Sequence, residues 1–81
     1  MIKTRTEARE EKIRKIVETY YELIKEKGYN HASIRDIVKR TNISISSIYN
    51  YFPNGKSDIL KRSFKYFSDD IFNLKLFLEK N

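Results

Sequence analysis

The 81-residue sequence predicts an all-α fold of three helices followed by a fourth. Three observations predict it. Apolar residues recur at spacings of three and four through residues 6–27. The hydroxyl residues Ser33 and Ser44 stand where a helix N-cap is wanted. Gly28, Asn42 and the run PNGK at 53–56 separate the apolar runs with residues that turn a chain.

In the first segment Ile13, Ile16, Val17, Tyr20, Leu23 and Ile24 fall on one face while Glu and Lys fill the other, an amphipathic helix over 6–27. It stops at Gly28, where Lys25 and Lys27 set cations against the carbonyl end and glycine can take positive φ. Ser33 then precedes Ile34, Ile37 and Val38, with Asp36 three residues on, a weaker relative of the Ser-x-x-Glu capping box; a short second helix over 34–41 follows. The stretch TNISISSIYNYF, 41–52, has the Ile and Tyr content and the early alternation of a strand. Period two, however, would put Asn50 on one face with Ile48 and Phe52 and bury an amide in the core. Period four pairs Ile48 with Phe52 and leaves Ser46, Tyr49, Asn50 and Tyr51 to point elsewhere. The third helix is therefore placed at 45–52, entered through Asn42, which tolerates left-handed backbone, and capped by Ser44. PNGK breaks the chain, and a fourth helix runs over 56–68 with Ile59, Leu60, Ser63, Phe64 and Phe67 as its inner stripe. Ile37, Val38, Ile43, Ile48 and Phe52 are assigned to the core.

Composition narrows the chemistry. With no Cys there is no thiolate nucleophile, Cys-based zinc site or disulfide, and the lone His31 reads as a solvated loop side chain rather than a ligand. No paired acid and base, nucleophile or metal set is visible, so an enzyme, a cofactor and a metal site are not expected. The charged residues near the N-terminus leave no signal peptide, and no window approaches the roughly 20 apolar residues that span a bilayer. A soluble, cytoplasmic domain with no membrane partner is the expectation. Seventeen Lys and Arg against eleven Asp and Glu give a net charge of +6, which favours a polyanionic partner. Between Asp36 and Asp58 there is no carboxylate, while Lys39, Arg40 and Lys56 lie in that gap, as suits a surface that approaches phosphates.

A long support helix, then two short helices joined by a tight turn, make a helix-turn-helix. The second of the pair must be short, capped, apolar inward and small and polar outward, so that its N-terminal part can enter a major groove. Ser residues permit that approach.

The run SIRDIVKRTNISISSIYNYFPNGKSDIL, 33–60, together with the helix and Gly28 before it, resembles the DNA-binding domain of the tetracycline-repressor-like (TetR) family of bacterial transcriptional regulators. The shared pattern appears as Ser33, Ile37, SSIYNYF and Lys56. It departs at Asn42, where the family often has Gly, and at Ile45, where a polar or basic residue is common. The resemblance implies a three-helix helix-turn-helix DNA-binding domain over 1–68 with a fourth connecting helix. It also implies palindromic double-stranded operator DNA as partner, and repression by occluding a promoter.

Candidate contacts combine this resemblance with side-chain chemistry. Ser33 caps its helix and can also bond a phosphate, and Arg35 either reaches a base edge or phosphate or stays a solvated surface residue. Ser46, Ser47 and Asn50 are the groove candidates, Asn50 being the best sequence reader because its amide can both donate to and accept from adenine. Tyr49 and Tyr51 either anchor phosphates through their hydroxyls or pack partly into the core. Ile45 either touches a thymine methyl or sits against the domain. Lys56 holds a phosphate, as the resemblance implies. Lys3, Arg5 and Arg9 either add phosphate or minor-groove contacts or, as a chain end more often does, form a frayed, solvated arm.

Residues 67–81, with Ile71, Phe72, Leu74, Leu76, Phe77 and Leu78, are too apolar for a tail left in water. From the resemblance, 69–81 begin a truncated C-terminal domain that forms the homodimer and binds a small-molecule effector. The alternatives are a naturally short protein that dimerises through this segment and a small helical protein-interaction module that docks a partner through it.

Overall fold

A computed structural model of the protein describes residues 4–66. The expectations for Lys3, Phe67 and the apolar segment up to Asn81 lie outside them. All regular structure among the described residues is helical.

Helix α1 spans Arg5–Lys27. Its start is set by Thr4, in extended backbone, whose hydroxyl accepts from the Glu7 amide at 3.1 Å. Arg5 and Arg9 are thereby part of a capped helix rather than a frayed arm. Its end is set by Gly28 at φ 81°, whose N–H donates to the Ile24 carbonyl. Helix α2 spans Ile34–Thr41 behind a complete capping box: Ser33 Oγ accepts from the Asp36 amide at 3.2 Å, and Asp36 Oδ2 accepts from the Ser33 amide at 3.3 Å. Asp thus completes the box as the longer Glu does.

Asn42, at φ 61° and ψ 14°, ends α2 in the left-handed region, and Thr41 braces the turn. The buried Thr41 hydroxyl donates to the Ile37 carbonyl at 2.7 Å and accepts from the Ile43 amide at 3.1 Å, so backbone groups left over by the helix end are satisfied without water. Helix α3 spans Ile45–Tyr51, with Ser44 as N-cap accepting from the Ser47 amide and Phe52 as its C-cap, one residue short of the predicted end. After a turn at 53–55, residues 56–66 are the described part of a fourth helix, α4. Asp58 holds that turn, accepting from the Asn54 amide at 2.8 Å and from its side-chain nitrogen at 3.2 Å. The backbone bond from Asn54 does most to hold the Asp58 carboxyl below its usual range.

The core is built on α1, whose Ile13, Ile16, Val17, Tyr20 and Leu23 meet Ala32, Ile34 and Ile37 from the second segment, Ile48 and Phe52 from the third and Ile59 from α4. Burying each such aliphatic side chain stabilises the fold by roughly 1.5–3 kcal/mol. Val38 and Ile43 pack against this cluster but remain half-buried. Two expectations are corrected in α4: Phe64 is 49 % exposed, and Leu60 is half-buried without joining the core cluster, so neither belongs to the inner stripe. Ile59, Ser63 and Tyr66 recur at spacings of four and three and turn inward, which rotates Phe64 away from the core. Ser63 fits there because it is small, and its buried hydroxyl donates to the Leu60 carbonyl at 2.6 Å.

Candidate nucleic-acid interface

Helix α3 has two faces because its seven residues make only two turns. Ile48 is fully buried and Phe52 nearly so, which moors the helix at its inner side and C-terminal end. Ile45, Ser46, Tyr49 and Asn50 are exposed together. Ile45, at 49 % exposure, is not against the body of the domain. Ser47 is half-buried, and its hydroxyl accepts a hydrogen bond from the Ser44 hydroxyl at 2.9 Å, so it supports the cap more than the open face. No residue in the first or last turn of α3 carries a charge.

The two tyrosines divide. Tyr49 is 45 % exposed, and its ring crosses the α3–α4 turn so closely that a Cβ at Gly55 would lie 3.3 Å from Cε1. Glycine at φ 66° meets both demands of that position, the left-handed backbone and the close ring. Tyr51 is half-buried against the core cluster, with the Arg9 guanidinium 5.4 Å from its ring centroid.

Ser33 spends its donors within the capping box. Its amide and its hydroxyl both reach Asp36 Oδ2, the latter at 3.0 Å, and these bonds, together with one from Lys27 at 3.2 Å, hold the Asp36 carboxyl below its usual range. A phosphate would have to take that hydroxyl proton from a carboxylate. Arg35 in the first turn of α2 and Lys39 in its last are exposed.

The gap in carboxylates along the sequence is not a gap in space. Arg40, the second cation in it, pairs with Glu26 on α1, and that hydrogen bond is the main reason the Glu26 carboxyl is lowered and the Arg40 guanidinium raised. Its charge is neutralised locally. Lys56 is held differently: Nζ donates to the Tyr29 carbonyl at 2.9 Å and stands 4.6 Å from the centroid of the Tyr29 ring. The α1–α2 loop is therefore part of the surface, a contact that sequence spacing gives no sign of.

The comparisons with known proteins follow the same residues. A profile described as bacterial regulatory proteins, tetR family, matches residues 16–62, more than half of the chain. The chain belongs to the tetR family of bacterial regulatory proteins. A curated relative, the "Uncharacterized HTH-type transcriptional regulator YuxN" of Bacillus subtilis (strain 168), is 39 % identical over 62 residues, which cover 76 % of this chain and 21 % of the relative. The chain thus spans about a fifth of the length of the curated relative it matches. No solved structure matches it.

The tetR-family match runs from the middle of α1 into α4 and so contains the whole capped, two-helix unit with its DNA-binding helix-turn-helix motif. Among the described residues no helix is long and apolar enough to cross a membrane, and no group of His, Cys, Asp and Glu could hold a metal ion. Within the tetR-family domain, three further residues hold the candidate surface: Tyr29 beneath Lys56, Glu26 opposite Arg40 and Thr41 in the turn. Glu26 and Tyr29 act across 14 and 27 residues of chain, so no local pattern signals them. For Thr41 there was a signal: a hydroxyl one residue before a left-handed Asn at a helix end can bond back to the turn.

Proposed function

We propose that the chain recognises double-stranded DNA by sequence, with α3 lying in the major groove, and that it serves a transcriptional repressor that acts by occluding a promoter. The observation that carries this reading is the exposed, uncharged face of Ile45, Ser46, Tyr49 and Asn50 on a helix capped by Ser44 and moored by Ile48 and Phe52. Small and amide side chains on a rigid helix can approach base edges. The exposed Arg35 and Lys39 on α2 and Lys56 at the start of α4 supply the cations for the phosphates.

Asn50 is the residue that reads, its amide pairing with the donor and acceptor of an adenine. The exposed Ile45 meets a thymine methyl, and Ser46 and the Tyr49 hydroxyl bond at the groove edge. Ser33 serves mainly as a cap and Ser47 as the partner of the Ser44 cap, while Tyr51, at the end of α3 beside Arg9, offers its hydroxyl to the backbone. Support for the wider proposal comes from family membership and from the greater length of the relative. In the cytoplasm, a domain following residue 68 pairs two heads as a homodimer on a palindromic operator and couples them to a small-molecule effector.

The test starts from a duplex selected by the wild-type chain out of a random pool. Asn50→Ala should lose about 1–3 kcal/mol on that duplex and much less on random DNA, as read by fluorescence anisotropy. Equal losses on both would make Asn50 a folding or backbone residue and remove α3 from its reading role.

A further inference from the structure

Three cations held by hydrogen bonds across the helix-turn-helix region differ in the charge of their partners. Arg40 is held by the Glu26 carboxylate and Lys27 by the Asp36 carboxylate, so each presents little net charge to an incoming anion. Lys56 is held by neutral groups only: the carbonyl of Tyr29 at 2.9 Å and the face of the same residue's ring, 4.6 Å from its centroid. Both attract an ammonium without cancelling its charge. Of the three N–H donors on Nζ, one is used and two remain. The platform is fixed as well. Tyr29 meets the fully buried Tyr20 edge to face, with centroids 6.5 Å apart, and the Gly28 carbonyl behind it accepts from the His31 and Ala32 amides. Tyr29 is 43 % exposed, so the ammonium it carries stands at solvent.

We propose that Tyr29 is a positioning residue for DNA binding: its carbonyl and ring hold the Lys56 ammonium extended and fully charged, ready for a backbone phosphate. A lysine side chain loses considerable rotamer entropy when it is fixed. Fixing it before the encounter removes that cost from binding, and it makes the α1–α2 loop part of the phosphate grip at the start of α4. The inference rests on the DNA reading given above and adds a residue that does not itself touch DNA.

The test is a double-mutant cycle on the full 81-residue chain, using the selected duplex and a range of salt concentrations. Tyr29→Phe keeps the ring and the carbonyl and should bind within about twofold of wild type. Tyr29→Leu should weaken binding about three- to tenfold, the scale of one cation–π contact. Lys56→Gln should weaken binding and lower the salt slope by about 0.9, the value of one phosphate. In the Lys56→Gln background, Tyr29→Leu should cost nothing more. Unfolding is followed by far-UV circular dichroism. The ring-current shift of the Lys56 ε-methylene protons reports the contact in each variant and should vanish in Tyr29→Leu and persist in Tyr29→Phe.

Additive losses in the double variant, or a Tyr29→Leu chain that binds as wild type while Lys56→Gln is weakened, would overturn the role of Tyr29 and leave the DNA reading intact. If Lys56→Gln binds as wild type while Asn50→Ala loosens sequence choice, the phosphate role of Lys56 and this inference fall together, again without touching α3. A wild-type chain that selects no sequence overturns both.

Discussion

Tyr20 carries, among the described residues, a buried side-chain oxygen without a hydrogen-bond partner. The ring is fully buried in the centre of α1, where it supports Tyr29, and the hydroxyl contributes nothing that repays its desolvation. Burial, with a smaller effect of Tyr29, pushes its ionisation up to about 12 from 10.0. Tyr20→Phe should therefore raise stability by about 1 kcal/mol, or about 4–8 °C in a thermal melt of a domain this size. The pH dependence has a definite sign. The native phenol ionises later than the unfolded one, so stability is independent of this group below pH 10 and falls as pH rises through 10 towards about 12. Wild type should lose melting temperature in that window more steeply than Tyr20→Phe; parallel curves would mean that the native phenol is solvated, and a destabilised Phe variant that the hydroxyl has a partner. Nothing in the sequence marks this position as polar and unpaired, because Tyr20 sits on the apolar period and reads simply as core.

At the scale of elements, the caps explain why so much was legible. Ser33, Ser44, Gly28 and Asn42 act through bonds to residues two to four positions away, and those distances are fixed by helix geometry, so residue type and spacing suffice to place α2 and both sides of the turn. The same holds for the choice of helix over strand in α3, which Ile48 and Phe52 decide. Contacts across the fold were not legible in this way: the Arg40–Glu26 pair, the hold of Tyr29 on Lys56 and the outward turn of Phe64 depend on which helix lies opposite.

The α2 cap is open to a direct test. Ser33→Ala should cost about 1 kcal/mol in denaturant unfolding. Because the Asp36 carboxyl lies below its ordinary value of 3.8, the stability it brings is whole above that value and is lost as pH falls through the lowered range. Asp36→Asn should remove that part of the acid sensitivity. A second element-scale prediction concerns the α3–α4 turn. Gly55→Ala imposes a left-handed backbone on a residue with a Cβ, costing about 1–2 kcal/mol, and presses on the Tyr49 ring at 3.3 Å. A thermal melt reads the cost, and Tyr49 ring-proton shifts read the displacement. An unshifted ring would show that the turn alone absorbs the strain.

For the whole molecule, the +6 charge is spread over many residues, and the proposed phosphate contacts draw on three of them. If Arg35, Lys39 and Lys56 each neutralise a phosphate, the logarithm of affinity should fall against the logarithm of salt with a slope of about −3. That is about a fortyfold loss between 50 and 200 mM. Anisotropy titrations of the 81-residue chain on one half-site measure the slope, and a flat response would remove the phosphates from the reading. A covalent tandem of two chains on a palindromic duplex should bind far more tightly than one chain on a half-site, since the second contact is then intramolecular. No gain at any half-site spacing would count against a paired operator.

The uncharged face of α3 separates two properties that many basic DNA-binding surfaces merge. In the proposed complex, grip comes from cations on α2 and α4, whereas choice comes from four neutral side chains whose replacement leaves the core and the ionic contacts alone. Descendants of this chain could therefore drift to new targets by changes at positions 45, 46, 49 and 50, with Tyr49 constrained by its neighbour Gly55, Ser46 tied by its hydroxyl to the Ser44 cap at 3.2 Å, and Ile45 and Asn50 the freest to vary.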